Sequence, residues 1–298
     1  MTPSNFNFVL GAPDNSLLYI GQYDPVLVVL SVLAATFASF AALLISQRIA
    51  QTAHQLHRGL WIAAGGGAMG AGIWAMHFVG MIAFSLPCST SYDPLITVIS
   101  MIPGVLASTL AIALISRPSL DFKQLGVGGL LLGAGIGAMH YVGMAAYQMD
   151  GFIRYDVMLF VLSIVVAVVL ATLALWINVR LSGNRNRGNS PALMVSALVM
   201  GMAVSGMHYT AMSAAYFVRD PAAISTGATM APSFLATLVL SVTTAIIVLT
   251  LVATFLSRTL TLSLLRNARP VFVLLGLWSG IAWVASGYYT RSMIDQTY

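Results

Sequence analysis

Apolar runs of about 20 residues, each free of Asp, Lys and Arg, alternate with short polar breaks along the whole chain, and runs of that length cross a bilayer as helices. An all-apolar helix has no period from which a buried face can be read, so the runs are placed by length and by the Pro and charge breaks between them. They fall at roughly 25 to 47, 60 to 84, 95 to 115, 125 to 146, 157 to 178, 192 to 215, 233 to 256 and 270 to 290. The pattern predicts an all-α polytopic transmembrane bundle of about eight spans. Pro25, Pro191, Pro232 and Pro270 stand at the starts of four runs, where the missing N–H costs nothing, while Pro103 lies inside the third and predicts a kink.

Composition agrees, with 59% hydrophobic and 7% charged residues among 298 and no Glu. The net charge of +5 does not point to nucleic acid, because the bases are scattered over short loops. They are divided unevenly. Loops after odd-numbered spans hold Arg48, Arg58, Arg117, Lys123, Arg180, Arg185, Arg187, Arg258, Arg266 and Arg269, against only Arg154, Arg219 and Arg291 on the other side. Basic loops stay in the cytoplasm, so both termini are expected outside. Residues 1 to 24 lack a basic n-region, and the first run reads as an uncleaved span. Cys88, the single cysteine, has no internal partner for a disulfide.

The chemistry lies in a repeat. Met76-His77-Phe78-Val79-Gly80-Met81, Met139-His140-Tyr141-Val142-Gly143-Met144 and Met207-His208-Tyr209-Thr210-Ala211-Met212 place three of the five histidines inside apolar runs. Polar groups there are costly and mark function. Aligning the histidines also aligns Gly70, Gly133 and Gly201, so three two-helix units share one topology and run parallel. Each histidine lies on an even-numbered span, 15 to 17 residues from its inner end, or about 22 to 26 Å along the helix. All three therefore sit at one depth beneath the outer surface of a core about 30 Å thick.

At 100° per residue the glycine, the histidine and the methionine four residues beyond the histidine share one narrow stripe. Three facing stripes gather His77, His140 and His208 with Met81, Met144 and Met212 around one pocket. Imidazole with thioether is a copper preference, since Mg, Ca and Mn favour oxygen. Met76, Met139 and Met207 point about 100° away and read as surrounding or packing residues. Cys88, beyond Met81 in an outer loop, reads as a small hydrophobe or as a further ligand or gate. Against this stands the plainer reading of intramembrane histidines as helix-to-helix hydrogen-bonding residues and of Met as core filler, which the threefold repetition disfavours. His54 and His57 sit beside Arg58 in a basic loop and read as solvated. Gly65-Gly66-Gly67 lies within a span and lacks the strand and Lys of a phosphate cradle.

The repeated motif resembles the MHYT domain family of bacterial integral membrane proteins, over roughly residues 25 to 256. Only Met207-His208-Tyr209-Thr210 spells it in full. The resemblance implies a seven-helix sensor module that binds copper through its His and Met residues and senses O2, CO or NO. Together with the span and charge readings it divides the chain into a periplasmic segment 1–24, a seven-helix membrane domain 25–256, and a cytoplasmic connection, eighth span and short tail at 257–298, in a bacterial inner membrane with both termini periplasmic. Family members often continue into cyclic-dinucleotide synthase or hydrolase domains. Here the chain is expected to stop after its eighth span, so a sensor role implies a separate signalling or redox partner protein. A membrane copper oxidase or oxygenase, a copper transporter and a haem protein use similar ligands and stand as alternatives.

Overall fold

The computed structural model describes residues 7–11, 13–49, 52, 54–117, 121–181, 190–220 and 229–256. The eighth predicted span, 270 to 290, lies outside the described residues. Long helices match the other predicted runs: α1 (Pro25–Ile49), α2 (Gln55–Ala83), α3 (Pro94–Ile99) with α4 (Met101–Ile115), α5 (Phe122–Ala145), α6 (Val157–Leu181), α7 (Ser190–Ser213) and α8 (Pro232–Leu256). Counting α3 with α4, six are long and apolar enough to cross a membrane, and α8 adds an apolar helix over Pro232–Ile246. The third span breaks because Pro103 has no N–H for the Ile99 carbonyl and its ring crowds that group, so α3 ends at Ile99 and α4 restarts after Ser100.

The helices close into a ring in the order α1, α2, α4, α5, α6, α7 and back to α1. The histidine-bearing α2, α5 and α7 also touch one another across the middle. The inner position shows in burial, with 83% of the most apolar window of α2 covered against 22% for α6. The aligned glycines set the spacing by a different contact from the expected one. Gly70, Gly133 and Gly201 face the next repeat's odd helix, at Val105, Val168 and Thr36, and not the common axis. A Cβ at Gly133 would stand 2.6 Å from the Val168 Cα, and one at Gly201 2.8 Å from that of Thr36. Only a residue without a side chain permits this approach.

Short strands cap the histidine-bearing end: β1 (Asn7–Val9), β2 (Gln22–Tyr23), β3 (Phe84–Ser85), β4 (Thr90–Tyr92), β5 (Tyr147–Met149), β6 (Gly151–Asp156) and β7 (Ala215–Arg219). In each repeat the strand entering the odd helix pairs antiparallel with the strand leaving the even helix: β2 with β3, β4 with β5, β6 with β7. The N-terminal strand β1 adds to β6 in parallel. The helix that follows each entering strand starts on an aspartate. Carboxylates of Asp24, Asp93 and Asp156 accept the N–H groups of Val26 and Leu27, of Ile96, and of Leu159. Their own N–H groups donate to the carbonyls of Ala83, Ala146 and Ala214, each at 2.8 Å. Every repeat is thus clamped at its strand-cap end by one bond of identical length.

The first compact unit runs to Ile247, within α8, and a second begins at Val248. On α8, Leu235, Val239 and Thr243 are buried at four-residue intervals, which marks its covered face.

Candidate metal centre

His77, His140 and His208 lie five or six residues before the ends of α2, α5 and α7, about 8 to 9 Å below the strand cap. Their side chains meet on the central axis. Nδ1 of His77 is 3.1 Å from Nδ1 of His140 and 3.2 Å from that of His208, and the third pair is also 3.2 Å apart. All three residues are at most 1% exposed. Among the described residues they form the group of His, Cys, Asp and Glu side chains that fits around one metal ion.

This arrangement is frustrated without a cation. A neutral imidazole has one N–H and one lone pair, so three equivalent nitrogens in mutual contact cannot all pair as donor and acceptor. Each outer nitrogen, Nε2, is also buried without a hydrogen-bond partner. An ion accepting three lone pairs resolves the conflict. A point equidistant from nitrogens at these separations lies about 1.8 Å from each, close to the roughly 2.0–2.1 Å of imidazole bonds to a first-row ion. Three imidazoles suit first-row transition ions, copper among them, and among the described residues no carboxylate that would recruit a hard cation joins the group. The same closeness disfavours haem, since a macrocycle needs an open slot between two facing imidazoles.

In two repeats the tyrosine after the histidine ties its helix to a neighbour. Tyr209 on α7 meets Ser31 on α1 at 2.7 Å, and Tyr141 on α5 meets Ser163 on α6 at 2.9 Å. Each serine hydroxyl donates to the carbonyl three residues back, Val28 or Phe160, so the phenol donates to the serine oxygen. In the remaining repeat Phe78 has no hydroxyl. There Ser100 still donates to Thr97, and the indole of Trp74, one turn before His77, donates to that same carbonyl at 2.8 Å. Each histidine ring packs edge-on to its aromatic follower, at 4.6 to 4.8 Å between centroids.

Met81, Met144 and Met212 are buried one turn beyond the histidines, at 4% exposure or less. Met76, Met139 and Met207 are buried too. Met139 packs on Gly104 of α4, and the methyl end of Met207 reaches Gly137 of α5, in keeping with packing. Cys88 is partly exposed between β3 and β4, outside the imidazole group. His54 and His57 are exposed at the opposite end of α2.

Three residue sets carry the geometry without having been singled out in the sequence. Asp24, Asp93 and Asp156 with Ser31, Ser100 and Ser163 repeat as Asp followed seven residues later by Ser. Gly80 and Gly143 stand inside the histidine motif and face imidazoles of other repeats. The signal for the first two was the spacing itself, on odd helices that lack a histidine.

The profile described as "MHYT: Bacterial signalling protein N terminal repeat" matches residues 70–128 and 133–188. Both matches begin on an aligned glycine, Gly70 or Gly133. This chain belongs to the MHYT family. It is 40% identical over 247 residues to the bifunctional diguanylate cyclase/cyclic di-GMP phosphodiesterase MucR of Pseudomonas aeruginosa, covering 82% of this chain and 35% of that protein. It is 36% identical over 203 residues to the signaling protein YkoW of Bacillus subtilis, covering 67% of this chain and 25% of YkoW. It is 35% identical over 201 residues to the cyclic di-GMP phosphodiesterase NbdA of Pseudomonas aeruginosa, with 67% and 25% covered. The chain thus spans about a third or less of the length of these relatives. No solved structure matches it. The MHYT repeats place it among membrane signalling proteins, and the histidine of each motif is the residue that reaches the axis.

Proposed function

We propose that this MHYT chain is the sensing module of a bacterial inner-membrane signalling system, holding copper between His77, His140 and His208 at its periplasmic end. The observation that carries this reading is the ring of three buried Nδ1 atoms, each within 3.2 Å of the other two. Met81, Met144 and Met212 supply soft sulfur from the next turn, with Met76, Met139, Met207 and Cys88 as their surroundings. Copper in such a set offers a coordination position to O2, CO or NO, or reports copper and redox status. The chain's own residues orient the imidazoles through the Tyr141 and Tyr209 hydroxyl bonds and exclude water from them.

The ten-to-three division of bases supports a cytoplasmic face opposite the strand cap, and so a periplasmic N-terminus. Below the site, fully buried Trp74 and the glycine contacts between neighbouring helices leave the bundle tightly packed, which suits a sensor better than a path for solute. Output passes to a signalling or redox partner, for which the cyclic di-GMP enzymes named among the relatives suggest the class. The test is to load purified protein with Cu(I) and add carbon monoxide while following the infrared carbonyl stretch, with copper flux into sealed vesicles measured in parallel. A carbonyl band without flux is expected. Saturable flux lost in His140→Ala, with no band, would overturn the sensor reading in favour of transport.

A further inference from the structure

Imidazole offers a metal either of two nitrogens, and the three helices choose between them. His208 and His77 each point Nε2 away from the axis, at the backbone of the next repeat's histidine helix. A Cβ built at Gly80 would collide with Nε2 of His208, with the flanking Cδ2 and Cε1 next at 2.9 and 3.2 Å. A Cβ at Gly143 would collide in the same way with Nε2 of His77, with Cδ2 and Cε1 at 2.8 and 3.4 Å. In both places the ring meets the bare backbone edge-on with Nε2 foremost. These two seats run in one sense around the axis, third repeat onto first and first onto second.

Gly80 and Gly143 each stand three residues after their own histidine. The matching position in the third repeat is Ala211, fully buried and carrying the methyl that the other two lack. Two of the three positions are therefore built without a side chain, and those two hold an imidazole edge in the space a side chain would take.

We infer that Gly80 and Gly143 are specificity-determining residues that select Nδ1 as the ligating atom, by seating the Nε2 edge of His208 and His77 against a helix backbone. The inference rests on the copper reading above and deepens it. The seats let these two rings stand where their Nδ1 atoms converge with that of His140 within 3.2 Å. A methyl group at either seat pushes its ring toward the axis, where the other two nitrogens already stand. The seated nitrogens also have no acceptor among the described residues, so no hydrogen bond raises the donor strength of the ring. That favours a soft monovalent ion over a divalent one.

The test uses the full chain in detergent with 15N-histidine. Ag(I), an NMR-active stand-in for Cu(I), is titrated in, and one-bond silver–nitrogen coupling reports which ring nitrogen ligates. Wild-type protein is expected to show coupling at Nδ1 of three histidines and none at Nε2. Gly80→Ala and Gly143→Ala are expected to bind Cu(I) at least about tenfold more weakly by chelator competition, or to shift coupling to Nε2. Ala211→Gly is expected to retain both affinity and Nδ1 coupling. Thermal unfolding of the metal-free proteins separates a lost seat from a lost fold. Nε2 coupling in the wild type, which needs no variant, would overturn the inference, as would wild-type affinity through Nδ1 in both alanine variants. Failure of wild-type protein to bind either metal would sink the copper reading and the inference with it, whereas unchanged alanine variants sink the inference alone.

Discussion

Tyr209 of the third repeat hydrogen-bonds Ser31 of the first at 2.7 Å, across 178 positions of sequence. The bond closes the helix ring where α7 returns to α1, and it holds the residue next to His208. Tyr209→Phe removes it while keeping the ring's packing, at a cost of about 0.5–1.5 kcal/mol, with measured membrane cases near the lower figure. The same change at Tyr141 breaks the Ser163 bond and has a similar cost. Thermal unfolding in detergent checks both. A Tyr209→Phe protein as stable as wild type would show that the helix is held by packing alone.

Gly133 and Gly201 lie against the backbone, as well as the β-branched side chain, of Val168 and Thr36 on a neighbouring helix, so a methyl group there forces helices apart. Gly133→Val is expected to destabilise the bundle by roughly 1–3 kcal/mol and to weaken metal binding by spreading the histidines. Gly67, where an added Cβ meets nothing within 4 Å, is the control and is expected to tolerate alanine. Equal unfolding temperatures for the two variants would contradict the packing account.

Cys88 reports both topology and local electrostatics. Burial pushes its thiol above the ordinary value, so the reactive thiolate is scarce at neutral pH and forms only as pH rises. Maleimide labelling of Cys88 is expected from the outer side of intact spheroplasts, and it is expected to go on accelerating with pH beyond the range in which an ordinary thiol levels off. A plateau by pH 8 would contradict the direction of the shift. In a Cys88→Ser background, Asn184→Cys is expected to label only after permeabilisation, and outside labelling would reverse the orientation.

Helices and histidines were legible in the sequence for one reason: crossing a bilayer demands long uncharged runs, and three histidines inside such runs stand out. Pro103 announced the break between α3 and α4 by its missing N–H. The strand cap was not legible. β2 and β3 have two residues each, and Gln22 finds Ser85 only because the start of α1 and the end of α2 lie side by side. The Asp24, Asp93 and Asp156 caps and their serines repeat as regularly as the histidines, yet they escaped notice on helices without a costly intramembrane group. The glycine stripe was visible, but its direction was not, since helical angle alone does not say whether Gly133 faces the axis or the flanking α6. Gly80 and Gly143 were in plain view within the motif, and only the ring positions of His208 and His77 give them a role.

Three imidazoles that act as one metal site make copper content depend on each of them, and copper content across histidine variants is the decisive measurement. Wild-type protein, His77→Ala, His140→Ala, His208→Ala and the triple variant are purified in detergent, checked for helicity and a single elution peak, loaded with Cu(I) and assayed for metal per chain. The three nitrogens surround one point, so the wild type is expected to hold a single copper ion. Each single variant is expected to lose most of its occupancy, because two imidazoles no longer enclose the ion, and the triple variant to hold none. A correctly folded triple variant with wild-type copper content would contradict the claim and leave the histidines a purely structural role.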